Sequence, residues 1–260
     1  MKSNYSLLRQ LIRETLLHEG IYDPGILKAV FMAGGPGSGK SHTAKLIFGA
    51  DPQAAVVAAT ASGLKLVNSD TAFEMYLKQA GVDLGSLGKM SDADFAKLTV
   101  GPDSPRGKAK TLRDKQQAQF MAGKLGMVID GTGDDLDKIA TKKAAIEDAG
   151  YDTYMIYVNT SLEVAQERNK NRERKLPADL VEDIWNDVQE NLGGFQALFG
   201  GENIIIVDNT KYGPIPEGVE KAVNSFLRRP TKNPIGKKWI AAELKQKGSK
   251  AELPQQRHGL

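Results

Sequence analysis

Cysteine is absent from the 260 residues, which excludes a disulfide framework and every thiolate metal site. Histidine occurs only as His18, His42 and His258, too scattered to form a ligand cluster. No apolar run approaches the ~20 residues that a membrane-crossing helix needs. The N-terminus lacks the charged region, apolar core and cleavage site of a secretory signal. These absences set the expectation of a cytoplasmic protein with no membrane partner. No internal repeat is visible. The remaining composition is 40% hydrophobic and 26% charged, ordinary for a globular chain. The length fits one large α/β domain or two small ones.

A net charge of +3 conceals an asymmetry. From Arg228 onward nine Lys or Arg stand against Glu243 and Glu252, a surplus of seven that leaves the first 227 residues at −4. With Pro230, Pro234, Pro254, Gly236, Gly248 and Gly259, residues 228–260 read as a basic flexible tail, with one short helix around Trp239–Leu244. Residues 3–19 place Leu7, Leu8, Leu11, Ile12 and Leu16 at helical spacing. An amphipathic helix packed on the core is therefore expected within residues 1–25.

The richest stretch is Ala29–Ser41, AVFMAGGPGSGKS. A short apolar strand feeds a turn that satisfies G-x-x-x-x-G-K-[ST]. Across Gly35, Pro36, Gly37, Ser38 and Gly39, the nucleotide-binding turn, the glycines let backbone N–H groups curl around phosphate oxygens. The helix that follows, with His42 in its first turn, aims its positive end at the same phosphates. Lys40 is placed to reach the β- and γ-phosphates, and the Ser41 hydroxyl to ligand Mg²⁺. ATP and Mg²⁺ are the expected cofactors.

Downstream, strands and helices alternate. Strands are expected at Leu64–Val67, Gly126–Asp130, Thr153–Val158 and Asn203–Val207, and helices at Thr71–Gln79, Pro105–Leu125, Leu136–Ala149, from Ser161, at Ala178–Leu192 and at Glu217–Leu227. Ser91-x-x-Asp94 is a candidate cap, and Trp185 and Trp239 are expected to pack. The pattern predicts an α/β P-loop fold over residues 26–227, with a five-stranded, mainly parallel sheet covered by helices on both faces.

Ligands in such sheets bind at the carboxyl ends of the strands. Asp70 and Asp130 both fall there. Asp70 is a candidate general base for an acceptor hydroxyl, or only a cap for the next helix. Asp130 is a candidate Mg²⁺ ligand through water, or it only shapes the Asp130-Gly131-Thr132-Gly133 turn. Arg168, Arg172 and Arg174 form a candidate lid over residues 166–178 that would neutralise a migrating phosphoryl group, or a solvated face. Arg106, Arg113 and Thr132 are candidate substrate contacts; the basic run 106–115 also reads as a plain exposed helix. No N-K-x-D motif accompanies the phosphate loop, which speaks against a GTPase. The third strand ends Asp130-Gly131 rather than Asp-Glu, which sets the chain apart from motor and AAA-type ATPases and favours a small kinase.

The order of phosphate loop, strand-N-S-D, strand-D-G-T and R-N-x-x-R-x-R lid resembles the zeta-toxin and polynucleotide-kinase group of P-loop kinases over about residues 28–210. It is also similar to kinase-like proteins of tailed phages, among them kinases of 5-hydroxymethyluracil in DNA. The resemblance implies that Asp70 activates the acceptor hydroxyl, that Arg172 or Arg174 serves the lid, and that Asn209-Thr210 holds the adenine. The acceptor it implies is a hydroxyl on a nucleic acid or nucleotide, the surplus charge of the tail suiting a polyanion. A nucleotide sugar (UDP-N-acetylglucosamine), as in zeta toxins, and a nucleotide-switch assembly ATPase are the alternatives.

Overall fold

In the computed structural model, residues 25–49, 63–211 and 213–255 are described, with side chains up to residue 246. The expected N-terminal helix and the Ala-rich stretch 51–62 lie outside the described residues. Five strands form one parallel sheet: β1 (Lys28–Ala33), β2 (Lys65–Val67), β3 (Met127–Asp130), β4 (Asp152–Asn159) and β5 (Ile204–Asp208). Their order is β2-β3-β1-β4-β5. The central strand β1 therefore lies between partners that come later in the chain, and the site-forming loops gather above it.

β1 is buried along its whole length, because both faces of the sheet are covered. Val30 and Met32 point into one core, with Ile156 and Val158 of β4. Ala29, Phe31 and Ala33 point into the other, with Met155 and Tyr157. This period of two, apolar on both sides, is the mark of an internal parallel strand. Helix α1 (Lys40–Phe48) and a later helix, Glu217–Arg228, cover the first face through Ala44, Phe48, Val219, Val223 and Phe226. Burying a side chain such as Phe226 contributes roughly 1.5–3 kcal/mol.

Between β2 and β3 the chain builds a separate helical arm from α2 (Asp70–Gln79), a 3₁₀ segment (Leu84–Lys89), α3 (Asp92–Thr99) and α4 (Pro105–Ala122). It has its own small core of Ala72, Phe73, Leu77, Leu84, Leu87 and Ala109. Ser91 caps α3 by accepting from the Asp94 N–H at 3.2 Å, as its spacing predicts. After β3 come α5 (Leu136–Asp148), α6 (Leu162–Lys170), α7 (Ala178–Glu190), α8 (Leu192–Phe199), α9 (Glu217–Arg228) and α10 (Pro234–Gln255). Helix α8 was not expected from the sequence, since two glycines open it. It forms because Phe195 and Phe199 bury against the sheet.

The segment expected to be a flexible tail is corrected by α10. Pro234 and Gly236 read as breakers but serve the docking. Pro234 occupies the first helical position, where its missing N–H costs nothing. Gly236 approaches Gly150 so closely that a Cβ on it would lie 2.2 Å from the Gly150 carbonyl oxygen. Trp239 and Ile240 pack on the second core. The anchor is Asp152, at the start of β4. It accepts from Lys28 Nζ at 2.7 Å and from the backbone N–H groups of Lys232 (2.9 Å) and Asn233 (2.8 Å). Asn233 in turn donates to the carbonyls of Glu147 (2.8 Å) and Tyr151 (3.2 Å) and accepts from Ile235 N–H. Among the described residues no helix is long and apolar enough to cross a membrane.

Lys28 and Asp152 are both buried, so removing one partner leaves an uncompensated charge. Asp152→Ala is expected to destabilise the protein by about 3–5 kcal/mol in urea unfolding. It should also open the 229–234 connection to limited proteolysis well below the global midpoint. A loss under 1 kcal/mol with an unchanged digestion pattern would contradict this anchor.

Candidate active site

The phosphate loop runs from the end of β1 into α1. Its base is fixed to β3: Gly34 N–H donates to the Thr132 carbonyl at 2.8 Å, and Gly131 N–H to that of Met32 at 3.1 Å. Gly39 precedes α1 with φ +87°, a conformation that suits glycine. A Cβ there would fall 2.0 Å from Asn209 Nδ2, the atom that donates to the Ser38 carbonyl at 2.8 Å. Asn209 is buried, so the loop after β5 braces the phosphate loop from behind. Lys40 Nζ donates to the carbonyls of Gly34 and Gly35. Burial presses its ammonium below the usual lysine range, an effect that Asp130 and Asp70 partly offset.

A cavity of about 830 Å³ opens over this loop. The loop residues Gly35, Pro36, Gly37, Gly39, Lys40 and Ser41 form its floor. Asp70 and Asp130 face it from the ends of β2 and β3. Arg168, Arg172 and Arg174 face it from α6 and the connection to α7, together with Thr132 and Thr210. Arg106, expected as a substrate contact, also lines it.

Asp70 is held by two guanidinium groups. Arg106 Nη1 donates to its Oδ1 at 2.8 Å, and Arg174 Nη2 to its Oδ2 at 3.0 Å. Both guanidiniums lie over the Phe73 ring, at 5.1 and 5.7 Å from its centroid. Burial alone would raise the Asp70 carboxyl, but Arg174 and Arg106 overcome it and hold the group far below the usual carboxylate range. Asp130 behaves in the opposite way. Burial pushes it up to about 6, against the pull of Lys40. Its Oδ2 accepts from Asn68 Nδ2 at 3.1 Å, while its buried Oδ1 has no hydrogen-bond partner among the described residues. Asn68 also accepts from the Asp70 N–H at 2.7 Å, so one amide ties the two carboxylate-bearing strand ends together.

Several expected site residues fall elsewhere. Arg168 sits on α6 away from Asp70; it donates to the carbonyls of Gly37 (3.3 Å) and Thr210 (3.5 Å). The expected lid is thus split, Arg168 toward the nucleotide loop and Arg174 toward Asp70, because α6 ends at Lys170. Arg113 does not line the cavity; it lies two turns down α4 from Arg106 and pairs with Asp114 at 2.7 Å. His42 is exposed and Asn209 lies beneath the loop, neither lining the cavity. Sequence reading did not single out Asn68, Phe73, Phe95, Thr99 or Glu167 for the site, and these depend on tertiary packing. Lys110, part of the basic run 106–115, lies one turn beyond Arg106 on the same helix face and lines the cavity with it.

Residues 30–194 match the AAA domain family, and the chain belongs to it. This corrects the separation from AAA-type proteins drawn from the Asp130-Gly131 ending of the third strand. No curated protein matches the chain. Among solved structures, it is similar to one of the PezAT chromosomal toxin–antitoxin system of Streptococcus pneumoniae, with 14% identity, 87% of this chain and 96% of that one covered, and a TM-score of 0.49. It is also similar to a gluconokinase from Sinorhizobium meliloti 1021, with 14% identity, 81% and 95% covered, and a TM-score of 0.43. A deoxyadenosine kinase from M. mycoides with bound dATP has 17% identity, 77% and 100% covered, and a TM-score of 0.36.

Because the Asp130 carboxyl is raised, the stability it contributes to the free protein is complete below the unfolded carboxylate value of ~3.9 and is lost as pH rises through about 6. Asp130→Asn removes that loss. The variant is expected to exceed the parent by roughly 1–3 kcal/mol at pH 8, with the gap closing below pH 4, as read from urea midpoints. A gap of the same size at both pH values would sink the assignment of Asp130 as a raised buried carboxyl.

Proposed function

We propose that this protein is an ATP-dependent kinase that transfers the γ-phosphate to a hydroxyl on a nucleic acid or nucleotide. The observation that carries this reading is the placement of Asp70 in one cavity with the phosphate loop, Asp130 and the Arg172–Arg174 segment. A plain ATPase needs no carboxylate paired to the wall opposite the loop. A kinase does, since phosphoryl transfer requires an acceptor hydroxyl held in line and relieved of its proton.

The loop N–H groups and the α1 N-terminus hold the triphosphate. Lys40 turns from the Gly34 carbonyl to the β- and γ-phosphates, and Arg172 adds positive charge from the lid side. Arg168 and Thr210 border the nucleoside end. Asp70 accepts the proton of the acceptor hydroxyl.

Mg²⁺ belongs with a loop of this type, and the residues fit it. Asp130 offers a buried oxygen without a partner, and the Ser41 hydroxyl lies on the same cavity floor. Among the described residues no cluster of three or more His, Cys, Asp or Glu exists to hold a metal unaided. That suits a cation held chiefly by phosphate oxygens and water. When bound, it would neutralise charge on the phosphates.

5-Hydroxymethyluracil in DNA and a polynucleotide 5′-hydroxyl fall within the proposed acceptor class. The exposed Lys237 and Lys238 of α10 supply a further cationic face for a polyanion.

The test is transfer from γ-labelled ATP to DNA, RNA, nucleosides and UDP-sugars offered in parallel. Label is expected on nucleic acid or nucleotide. Label only on a UDP-sugar would replace the acceptor; ATP hydrolysis with no labelled acceptor would favour a nucleotide switch. Asp70→Asn is expected to retain ATP binding and lose about 10²–10⁴ in kcat; unchanged transfer would remove Asp70 as the base.

A further inference from the structure

The two arginines on Asp70 are not held alike. Arg174 is nine-tenths buried, shares two hydrogen bonds with Asp70 and lies 3.7 Å from Glu74. Its position is set from two sides. Arg106 is more exposed, at 28%, and makes one bond to Asp70. It stands in the first turn of α4, which carries no acidic residue, where a cation opposes the helix dipole. One turn further on, Lys110 reaches the same cavity. Among the described residues Lys110 makes no hydrogen bond or ion pair. Two cations one helical turn apart on α4 thus line the cavity. Phe95 and Thr99 of α3 line it as well.

We propose that Arg106 and Lys110 form an anion subsite for the acceptor. The acceptor would be a hydroxyl compound that carries a phosphate ester, and that phosphate would draw Arg106 away from Asp70. This rests on the kinase reading above. A phosphate oxygen pair matches the guanidinium fork as well as a carboxylate does, and Lys110 adds a second charge that Asp70 does not engage. Once Arg106 moves to the phosphate, Asp70 keeps only Arg174. Its proton affinity rises toward what a base needs, because a carboxylate between two guanidiniums is a poor proton acceptor. A neutral acceptor leaves the pairing intact and Asp70 masked. Recognition of the phosphate and release of the base are then one event.

The experiment uses the full chain holding a non-hydrolysable ATP analogue. Thymidine, thymidine 3′-monophosphate and a 5′-hydroxyl oligothymidylate are titrated by calorimetry, and the same three are offered for transfer with ATP. Both phosphate-bearing probes are expected to bind at least tenfold tighter than thymidine. Arg106→Gln and the exposed-site variant Lys110→Gln are each expected to lose about tenfold in affinity for those probes without changing the affinity for thymidine. Arg106→Lys should recover only part of it. Where transfer occurs, kcat/KM should follow the same pattern.

Equal binding of thymidine and its monophosphate, or equal losses on all three probes, would overturn the subsite. Phosphate-selective binding without transfer to any acceptor would leave the subsite standing and remove the kinase reading. Transfer to thymidine as efficient as to its monophosphate would do the reverse. Tighter binding of the oligonucleotide than of the mononucleotide would identify a polynucleotide as the source of the phosphate.

Discussion

The Asp70 carboxylate, gripped by Arg106 at 2.8 Å and Arg174 at 3.0 Å, joins three stretches far apart in the chain. Asp70 begins α2, Arg106 lies in the first turn of α4, and Arg174 follows α6, beyond β4 in the chain. The helical arm between β2 and β3 has a small core of its own and leans on the second sheet core through Phe120 and Met121 at the end of α4. The charges on Asp70 connect the other end of the arm to the lid. Phe73 reinforces this: its ring is buried in the arm's core and carries both guanidiniums above it. The more exposed Arg106 half of this pairing contributes little net stability. Its weight is geometric, since it decides where the acceptor wall stands relative to the phosphate loop.

Two carboxylates at adjacent strand ends, bridged by Asn68, are driven in opposite directions by what surrounds them. Asp130 meets burial with one lysine for company and is raised. Asp70 meets burial with two arginines in contact and is lowered. The same residue type thus supplies two chemical groups, a buried oxygen short of a partner and a charge already satisfied. Neither state arises from the strand itself. β2 and β3 fix only the positions; the charges come from the arm, the lid and α1. Ligand binding would reverse both environments, since a cation would stabilise the charged form of Asp130, and loss of a guanidinium would raise Asp70.

How much of this could be read from residues alone follows from range. The alternation of apolar runs with helical patterns specified the five strands, because an internal parallel strand is apolar on both faces and Val30, Phe31, Ile156 and Tyr157 are so placed. The phosphate loop was legible because its glycines, Lys40 and Ser41 act within one short segment. Asp70 and Asp130 were legible as strand ends, but not their pairings. The split of the arginines was hidden, since it depends on where α6 stops. So was the docking of α10, where local signals pointed the wrong way: proline and glycine normally break helices, yet Asp152, 80 residues before Lys232, makes Pro234 a helix start and Gly236 a contact surface. Arg113 failed for a related reason. The basic run 106–115 offered it beside Arg106, but two helical turns place it about 10 Å further along α4 than Arg106, where it pairs with Asp114 instead of lining the cavity.

Arg168 and Arg174 are six residues apart, yet they hold different parts of the site. One bonds to carbonyls of the phosphate loop and of Thr210, the other to Asp70. Between them α6 ends, and Asn169 fastens the connection by accepting from Leu176 N–H at 3.0 Å and donating to its carbonyl at 2.8 Å. Asn169 is buried, so both of its bonds to Leu176 are shielded from water and hold better than the same pair would on the surface. The connection that carries Arg172 and Arg174 is therefore closed at its base by an amide rather than by an apolar contact, and its two ends are fixed relative to the end of α6.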